Sequence, residues 1–120
     1  MLALVVVRGP DRGRAFPLPE REPQLVGRST EALDLTDPTI SRRHAELTPD
    51  AGVWRIRDLG SRHGTFVNGA RIAGAVAISP GDRIRCGDSE FLVLREGEAP
   101  AATVDDGAQT ATYTIDNPIS

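Results

Sequence analysis

Short apolar stretches recur along residues 1–95, and they are separated by glycine, proline, aspartate and asparagine. The clearest alternation is at residues 53–57, where Trp54 and Ile56 fall on one face of an extended chain and Arg55 and Arg57 on the other. No segment has the 3.6-residue spacing of a long amphipathic helix, so the pattern predicts an all-β chain. The predicted strands lie near residues 2–7, 14–18, 24–27, 33–35, 43–48, 53–58, 65–67, 71–72, 76–78, 82–86 and 90–94.

Turn sequences separate these predicted strands. Asn68-Gly69 is a pair that two-residue hairpin turns favour, because both central positions need positive φ. Gly9-Pro10-Asp11 and Ser79-Pro80-Gly81 are also turn sequences. Many short strands joined by such turns, with no helix between them, predict a β-sandwich.

The composition changes after Leu94. Residues 1–95 contain all 14 basic residues and 12 acidic ones, whereas residues 96–120 contain five acidic residues and no basic residue. The net charge of −3 therefore divides into +2 and −5. We expect one folded domain over residues 1–95 and an acidic tail or linker over residues 96–120, in a fragment of a longer protein.

Charge and cysteine content exclude several classes of protein. A slightly basic body lacks the strong positive charge typical of nucleic-acid-binding domains. The apolar run at residues 2–7 is too short to span a membrane and has no basic residue before it, so neither an anchor nor a signal peptide is expected. Cys86 is the only cysteine and is expected to be buried; disulfides and a zinc site are not expected, whereas a reducing, cytoplasmic location is.

Three segments between predicted strands carry polar residues that could form a binding site. They are residues 26–29 with Gly27-Arg28, residues 39–44 with Ser41-x-x-His44, and residues 58–69 with Gly64-Thr65 and Asn68-Gly69. Each motif is weak by itself. Their order and their placement between short strands make them specific.

In that order the motifs resemble the forkhead-associated (FHA) domain, over about residues 1–95. The resemblance implies an FHA-like β-sandwich of about eleven short strands, with the binding loops at one end. It also implies a module that binds phosphothreonine in partner proteins and so mediates phosphorylation-dependent signalling assembly. No enzymatic activity, cofactor or metal is implied.

The residue types suit a phosphothreonine ligand, which carries a charge of about −1.5 to −2 and three acceptor oxygens. Arg28 would supply a cation with two parallel donors, Ser41 a hydroxyl donor, and Arg42 a further charge with a backbone N–H. The ordinary alternatives are a solvated charge for each arginine and a turn or capping residue for Ser41.

Six further residues of the pattern are expected to structure the loops. They are Gly27, His44, Gly64, Thr65, Asn68 and Gly69. His44 is expected to brace neighbouring backbone without touching the ligand, and Asn68 to form the hairpin turn. The three glycines mark positions that need special φ values or close approach of two chain segments.

One position departs from the family pattern. FHA domains commonly have asparagine immediately before the Gly-Thr pair, where its amide binds the peptide backbone beside the phosphothreonine; here the residue is His63. A neutral imidazole donates one hydrogen bond and accepts another, but without amide geometry. Phosphate binding by Arg28 and Ser41 should survive this change, whereas peptide register and affinity should differ. Arg62 is a candidate for an additional cationic contact.

Two other function classes compete with this interpretation. Ser41 and His44 could suggest a hydrolase, but the chain has no Gly-x-Ser-x-Gly elbow and no P-loop lysine, so catalysis is not expected. A phosphate-independent interaction module with a degenerate phosphate pocket is the alternative that His63 keeps open. Thr103, with Asp106 three residues later, is a candidate phosphorylated contact, within one chain or between two copies.

Overall fold

The computed structural model describes residues 2–29 and 32–95. Within these ranges there are ten strands and no helix, so nothing there could cross a membrane as a helix. The strands are β1 (Leu2–Arg8), β2 (Ala15–Leu18), β3 (Gln24–Val26), β4 (Ala45–Asp50), β5 (Val53–Asp58), β6 (Thr65–Val67), β7 (Ala70–Arg71), β8 (Val76–Ile78), β9 (Arg83–Cys86) and β10 (Ser89–Arg95). The predicted tail, including Thr103, lies outside the described residues.

The strands form two antiparallel sheets, with a shared apolar core. The six-stranded sheet has the order β2-β1-β10-β9-β6-β7, and the four-stranded sheet has the order β3-β4-β5-β8. One core cluster contains residues from both sheets, among them Leu4 of β1 and Ile56 of β5. The predicted all-β sandwich is therefore confirmed.

Alternation along β5 places side chains as the sequence predicts. Trp54 and Ile56 are buried in the core, whereas Arg55 and Arg57 are exposed. Cys86 at the end of β9 is also fully buried, and burial raises the pKa of its thiol to about 12. The thiol is therefore an inert part of the core.

Strands β1 and β10 are apolar on both faces. Residues such as Val6 and Val93 belong to the main core, while Val5, Leu92 and Leu94 form a second, smaller cluster. Because neighbouring residues of a strand point to opposite faces, this second cluster lies on the outer face of the six-stranded sheet. This two-sided burial explains why both strands are almost continuously apolar in sequence.

The strand predicted at residues 33–35 is wrong. Leu33 donates one backbone hydrogen bond to the Leu25 carbonyl, at 2.9 Å, and the segment does not continue into a ladder. Leu35 is buried in the core, while the exposed Asp34 carboxylate accepts a bond from Arg14 at 3.0 Å. An irregular loop that inserts one leucine into the core thus gives the same short alternation as a strand, and the described chain has ten strands where about eleven were predicted.

The Asn68-Gly69 turn is confirmed. Val67 and Ala70 pair across β6 and β7, and the two residues between them have φ values of 51° and 85°. The Asn68 side chain also contacts the neighbouring strand β9, since its amide oxygen accepts a hydrogen bond from the Arg83 N–H at 2.9 Å. The turn residue therefore joins the hairpin to β9.

Candidate binding site in the loops

The three predicted segments meet in space, and hydrogen bonds join them. We call residues 27–29, 39–44 and 59–64 the loop cluster. Arg28 N–H donates to the Arg42 carbonyl at 3.1 Å, and Arg62 N–H donates to Ser41 Oγ at 3.0 Å. Hydrogen bonds thus hold together three loop segments that are far apart in sequence. They follow β3, precede β4 and join β5 to β6.

Gly27 allows the first two segments to approach. The ladder between β3 and β4 continues past the strands, because His44 N–H donates to the Val26 carbonyl at 2.8 Å. A Cβ atom at Gly27 would overlap the backbone carbonyl of Arg42. Glycine is therefore required here by the neighbouring backbone.

Arg28 is exposed, yet one of its nitrogens is anchored. Its Nε–H donates to the Ile40 carbonyl at 2.5 Å, and Ile40 itself is fully buried. Among the described residues, no carboxylate lies within 4.0 Å of the Arg28 guanidinium. Within the described residues, the guanidinium is thus oriented by a backbone carbonyl and forms no ion pair.

The backbone of Ser41 donates a hydrogen bond, whereas its side chain accepts one. Its N–H donates to His44 Nδ1 at 3.1 Å, while its Oγ accepts from Arg62 N–H at 3.0 Å. Because the hydroxyl accepts the Arg62 bond, its own hydrogen remains for another acceptor. Ser41 therefore joins two loop segments and can still donate to a ligand.

His44 lies beneath the loop cluster and is fully buried. Its Nε2–H donates to the Gly64 carbonyl at 2.8 Å, and its Nδ1 accepts from Ser41. These two partners require the neutral Nε2–H tautomer. Desolvation by burial lowers the pKa of His44, and it outweighs the raising effects of the Gly64 carbonyl and Asp58. His44 thus links the second and third loop segments as a neutral ring.

Asp58, at the end of β5, orders the third loop segment. One carboxylate oxygen accepts from the backbone N–H groups of Gly60 and Ser61, at 2.9 and 3.0 Å. The other accepts from the hydroxyls of Ser61 and the buried Thr65, at 2.5 and 2.7 Å. Desolvation raises the pKa of Asp58, but these hydrogen bonds outweigh it and hold the pKa below 3.8. The carboxylate therefore remains ionised and fixes the loop.

Asp37 orders the second loop segment, as Asp58 orders the third. It is 1% exposed and accepts bonds from Thr39 N–H, from Thr39 Oγ1 and, at 2.6 Å, from Ser89 Oγ. Burial opposes ionisation of Asp37, but the hydrogen bonds from Ser89 and Thr39 lower its pKa overall. Thr39 Oγ1 also accepts from Asp88 N–H at 2.7 Å. This network ties the loop cluster to the turn between β9 and β10.

Comparisons with known proteins identify the family of the chain. The FHA domain family model matches residues 25–87, which is more than half of the chain. This chain belongs to the FHA domain family. The match includes the whole loop cluster, β4 to β9 and all but the first residue of β3.

Individual relatives support the assignment. FhaB of Mycolicibacterium smegmatis is 39% identical over 85 residues, covering 70% of this chain and 54% of FhaB. The oxoglutarate dehydrogenase inhibitor of Corynebacterium diphtheriae is 40% identical over 95 residues, covering 78% of this chain and 64% of the inhibitor. A structure solved in work on phosphothreonine-dependent FHA domain interactions superposes with a TM-score of 0.70 at 34% identity, covering 81% of this chain and 98% of the other. The FHA domain described here thus spans little more than half of FhaB and under two thirds of the inhibitor.

The FHA fold brings most of the sequence-predicted residues together. Arg28, Ser41 and Arg62 share the hydrogen bonds above, and Arg42 contributes its carbonyl while its side chain is exposed. His63 is exposed and lines a depression of about 170 Å³ instead of joining this network. No group of three or more metal-ligating side chains occurs among the residues that the structure describes.

Asp37 and Asp58 were not among the site residues predicted from the sequence. Both begin turn sequences, Asp-Pro-Thr and Asp-Leu-Gly-Ser, in which an aspartate bonds the backbone two or three residues later. That local pattern could have revealed their loop contacts. Their bonds to Ser89 and Thr65 depend on the tertiary fold.

The larger groove in this FHA domain, about 820 Å³, lies elsewhere. Its lining includes Leu2 and Arg95, at the start of β1 and the end of β10, together with Trp54. None of the predicted site residues lines it. The groove and the predicted site residues are therefore in different places, and the oriented donors of the loop cluster remain the candidate site.

Proposed function

We propose that this FHA domain binds phosphothreonine in partner proteins through the loop cluster. The observation that carries the proposal is the orientation of two donors: Arg28 is anchored through Nε to the Ile40 carbonyl, and Ser41 is held by Arg62 N–H. Within the described residues, the terminal nitrogens of Arg28 and the hydroxyl hydrogen of Ser41 are therefore available to a ligand. They are the direct phosphate ligands in this proposal.

The chemistry of the site favours a dianionic group. A phosphate offers three acceptor oxygens, and charge-assisted hydrogen bonds to it contribute about 1.5–3 kcal/mol each. Arg42 and Arg62 are both exposed beside Ser41 and would add positive charge. The relative studied for phosphothreonine-dependent interactions supports the same ligand class.

His63 is proposed to contact the peptide beside the phosphothreonine. It is exposed on the loop that also holds Arg62, at the edge of the depression that includes Phe66. An imidazole offers one donor and one acceptor when neutral. We expect it to set the register of the bound peptide more than the affinity for phosphate.

The domain is proposed to act by binding alone, without catalysis, in a reducing, cytoplasmic compartment. His44 and Ser41 do not form a nucleophile–base pair, since His44 Nδ1 accepts from the Ser41 backbone N–H and its Nε2 donates to a carbonyl. The chain's one cysteine is buried and needs no oxidising environment. One relative is named as an enzyme inhibitor, and such a role also favours regulation by binding.

Calorimetric titration tests the proposal. A degenerate phosphothreonine peptide pool and its unphosphorylated twin would be titrated into the wild-type protein, into Arg28→Ala and into Arg55→Ala. Arg55 is the matched control, because it is an exposed arginine 3.4 Å from Asp50 on the four-stranded sheet. We expect phosphate-dependent binding that Arg28→Ala weakens about 10- to 100-fold and Arg55→Ala leaves unchanged.

Equal binding of the two peptide pools, or full affinity in Arg28→Ala, would contradict the proposal. That result would favour a phosphate-independent interaction module with a degenerate pocket.

A further inference from the structure

A row of two exposed arginines and one half-buried phenylalanine lies beside the loop cluster. Phe66 of β6 pairs with Arg71 of β7 and with Arg85 of β9. Residues directly opposite each other in antiparallel strands project to the same face. The neighbouring positions Val67 and Ile84 belong to or pack on the core, so the row lies on the outer face of the six-stranded sheet. We call Arg71, Phe66 and Arg85 the arginine row.

Both arginines of the row are positioned by packing. The Arg85 guanidinium carbon lies 4.1 Å from the centroid of the Phe66 ring, and its Nη1 is 3.4 Å from the Gly87 carbonyl. Arg71 lies over Gly64, where an added Cβ would be 2.7 Å from its Nε and 3.0 Å from its Cζ. Stacking on an aromatic ring or a glycine orients a guanidinium without neutralising it.

The two arginines of the row have no carboxylate close to them in the described part of the chain. Among the described residues, no carboxylate lies within 4.0 Å of Arg71 or Arg85. By contrast, Arg57 meets Glu46 at 2.9 Å, and Arg83 meets Glu90 at 4.0 Å. Among the described residues, these two oriented guanidinium groups on either side of Phe66 therefore form a local surplus of positive charge.

The row is continuous with the loop cluster. Gly64, which Arg71 covers, follows His63 directly in the third loop segment. His63 in turn lines the depression of about 170 Å³ together with Phe66 and Arg85. Asp88 also lines it, as the one acidic side chain in that lining. A peptide bound at the loop cluster can thus extend onto the row without leaving the surface.

We propose that the arginine row is a second anion-binding surface, which takes a carboxylate or a phosphate carried by the same phosphopeptide. This inference rests on the proposed function, because Arg28 and Ser41 are the first attachment point. The exposed part of the Phe66 ring accepts the methylene groups of an acidic side chain, while the guanidinium edges of Arg71 and Arg85 bind its oxygens. The preferred ligand is therefore a phosphothreonine peptide with a second acidic or phosphorylated residue.

Peptide scanning with matched variants tests this proposal. The reference ligand is a phosphothreonine peptide with alanine flanks. One set of peptides moves a single glutamate through the flanking positions, and a second set moves a phosphoserine. Each is titrated into the wild-type protein, the double variant Arg71→Gln/Arg85→Gln, and the control Arg55→Gln, with thermal melting to verify folding.

We expect at least one flanking glutamate or phosphoserine to strengthen wild-type binding about 3- to 10-fold over the reference peptide. The double variant should lose this gain and keep its affinity for the reference peptide within about twofold, while Arg55→Gln behaves as wild type. A gain with glutamate assigns the row to carboxylates, and a gain with phosphoserine alone assigns it to a second phosphate.

Two results would overturn the proposal. One is the absence of any gain from a flanking anion in the wild-type protein. The other is an equal loss for reference and acidic peptides in the double variant, which would indicate general electrostatic attraction. Failure of the wild-type protein to bind even the reference peptide would instead reject the proposed function, and this inference with it.

Discussion

Arginine residues serve different purposes at the loop cluster and on the outer face of the four-stranded sheet. On that sheet, Arg57 lies 2.9 Å from Glu46 and Arg55 lies 3.4 Å from Asp50. At the loop cluster, Arg28 is held by a carbonyl and no carboxylate within the described residues neutralises it. Arg55 and Arg57 are therefore paired on the sheet, whereas Arg28 has no carboxylate partner among the described residues.

The carboxylates near the loop cluster explain this difference. Asp37 and Asp58 are present, but hydroxyl and backbone N–H groups occupy their oxygens. Their charge orders the loops, while the side chains of Arg28, Arg42 and Arg62 are exposed. Burying hydrogen-bonded carboxylates rigidifies a site, whereas an exposed ion pair contributes only about 0–1 kcal/mol. The comparison can be tested by removing groups from each region.

The largest effect is expected from Asp58→Ala. This change leaves the hydroxyls of Ser61 and Thr65 and two backbone N–H groups without their acceptor. We expect the free energy of unfolding to fall by about 2–3 kcal/mol, and phosphopeptide affinity to fall as the third loop segment loses its order. Urea unfolding and titration measure the two quantities.

Asp50→Ala is the matched control for Asp58→Ala, because Asp50 is an exposed aspartate that forms an ion pair with Arg55. It should change stability by about 0.5 kcal/mol or less. Similar losses in the two variants would contradict the difference between a carboxylate that accepts four loop hydrogen bonds and one in an exposed ion pair.

A smaller effect is expected from protonation of His44. Its pKa in the folded protein lies below the ordinary 6.5, so below pH 6.5 the unfolded chain binds the proton more readily. The free energy of unfolding should therefore fall as the pH falls from 7 to 5, by at most about 1.4 kcal/mol per pH unit from this group. Unfolding curves at pH 7, 6 and 5 measure this slope.

His44→Gln should be less stable at pH 7 and should lose that contribution to the slope, whereas the exposed His63→Gln should retain it. An unchanged slope in His44→Gln would show that another group causes the pH dependence.

The smallest effect is expected from Arg57→Ala. Its ion pair with Glu46 crosses β4 and β5 on a solvent-exposed face, so we expect a loss of about 0.2–1 kcal/mol and no change in phosphopeptide affinity. Raising the salt concentration should reduce the difference from wild type. A clear loss of affinity would mean that the four-stranded sheet takes part in binding.

Local patterns made much of the fold predictable. The alternation of β5 and the Asn68-Gly69 turn follow from strand periodicity and from the φ values that a short hairpin needs, and both are observed. Residues 33–35 show the limit of this reasoning. A three-residue alternation does not reveal whether the backbone forms a ladder with a neighbouring strand, and here it makes a single hydrogen bond, from Leu33 to Leu25.

The amino-acid sequence by itself determined the strand and turn pattern, the order of the loop motifs and the family. Only the tertiary structure decided which groups hold the loops and which remain free. His44 reaches Gly64 across 20 positions, and Arg71 covers the same glycine because β6 and β7 pair in one particular register. Such contacts depend on how the strands are joined in space, which no local periodicity specifies.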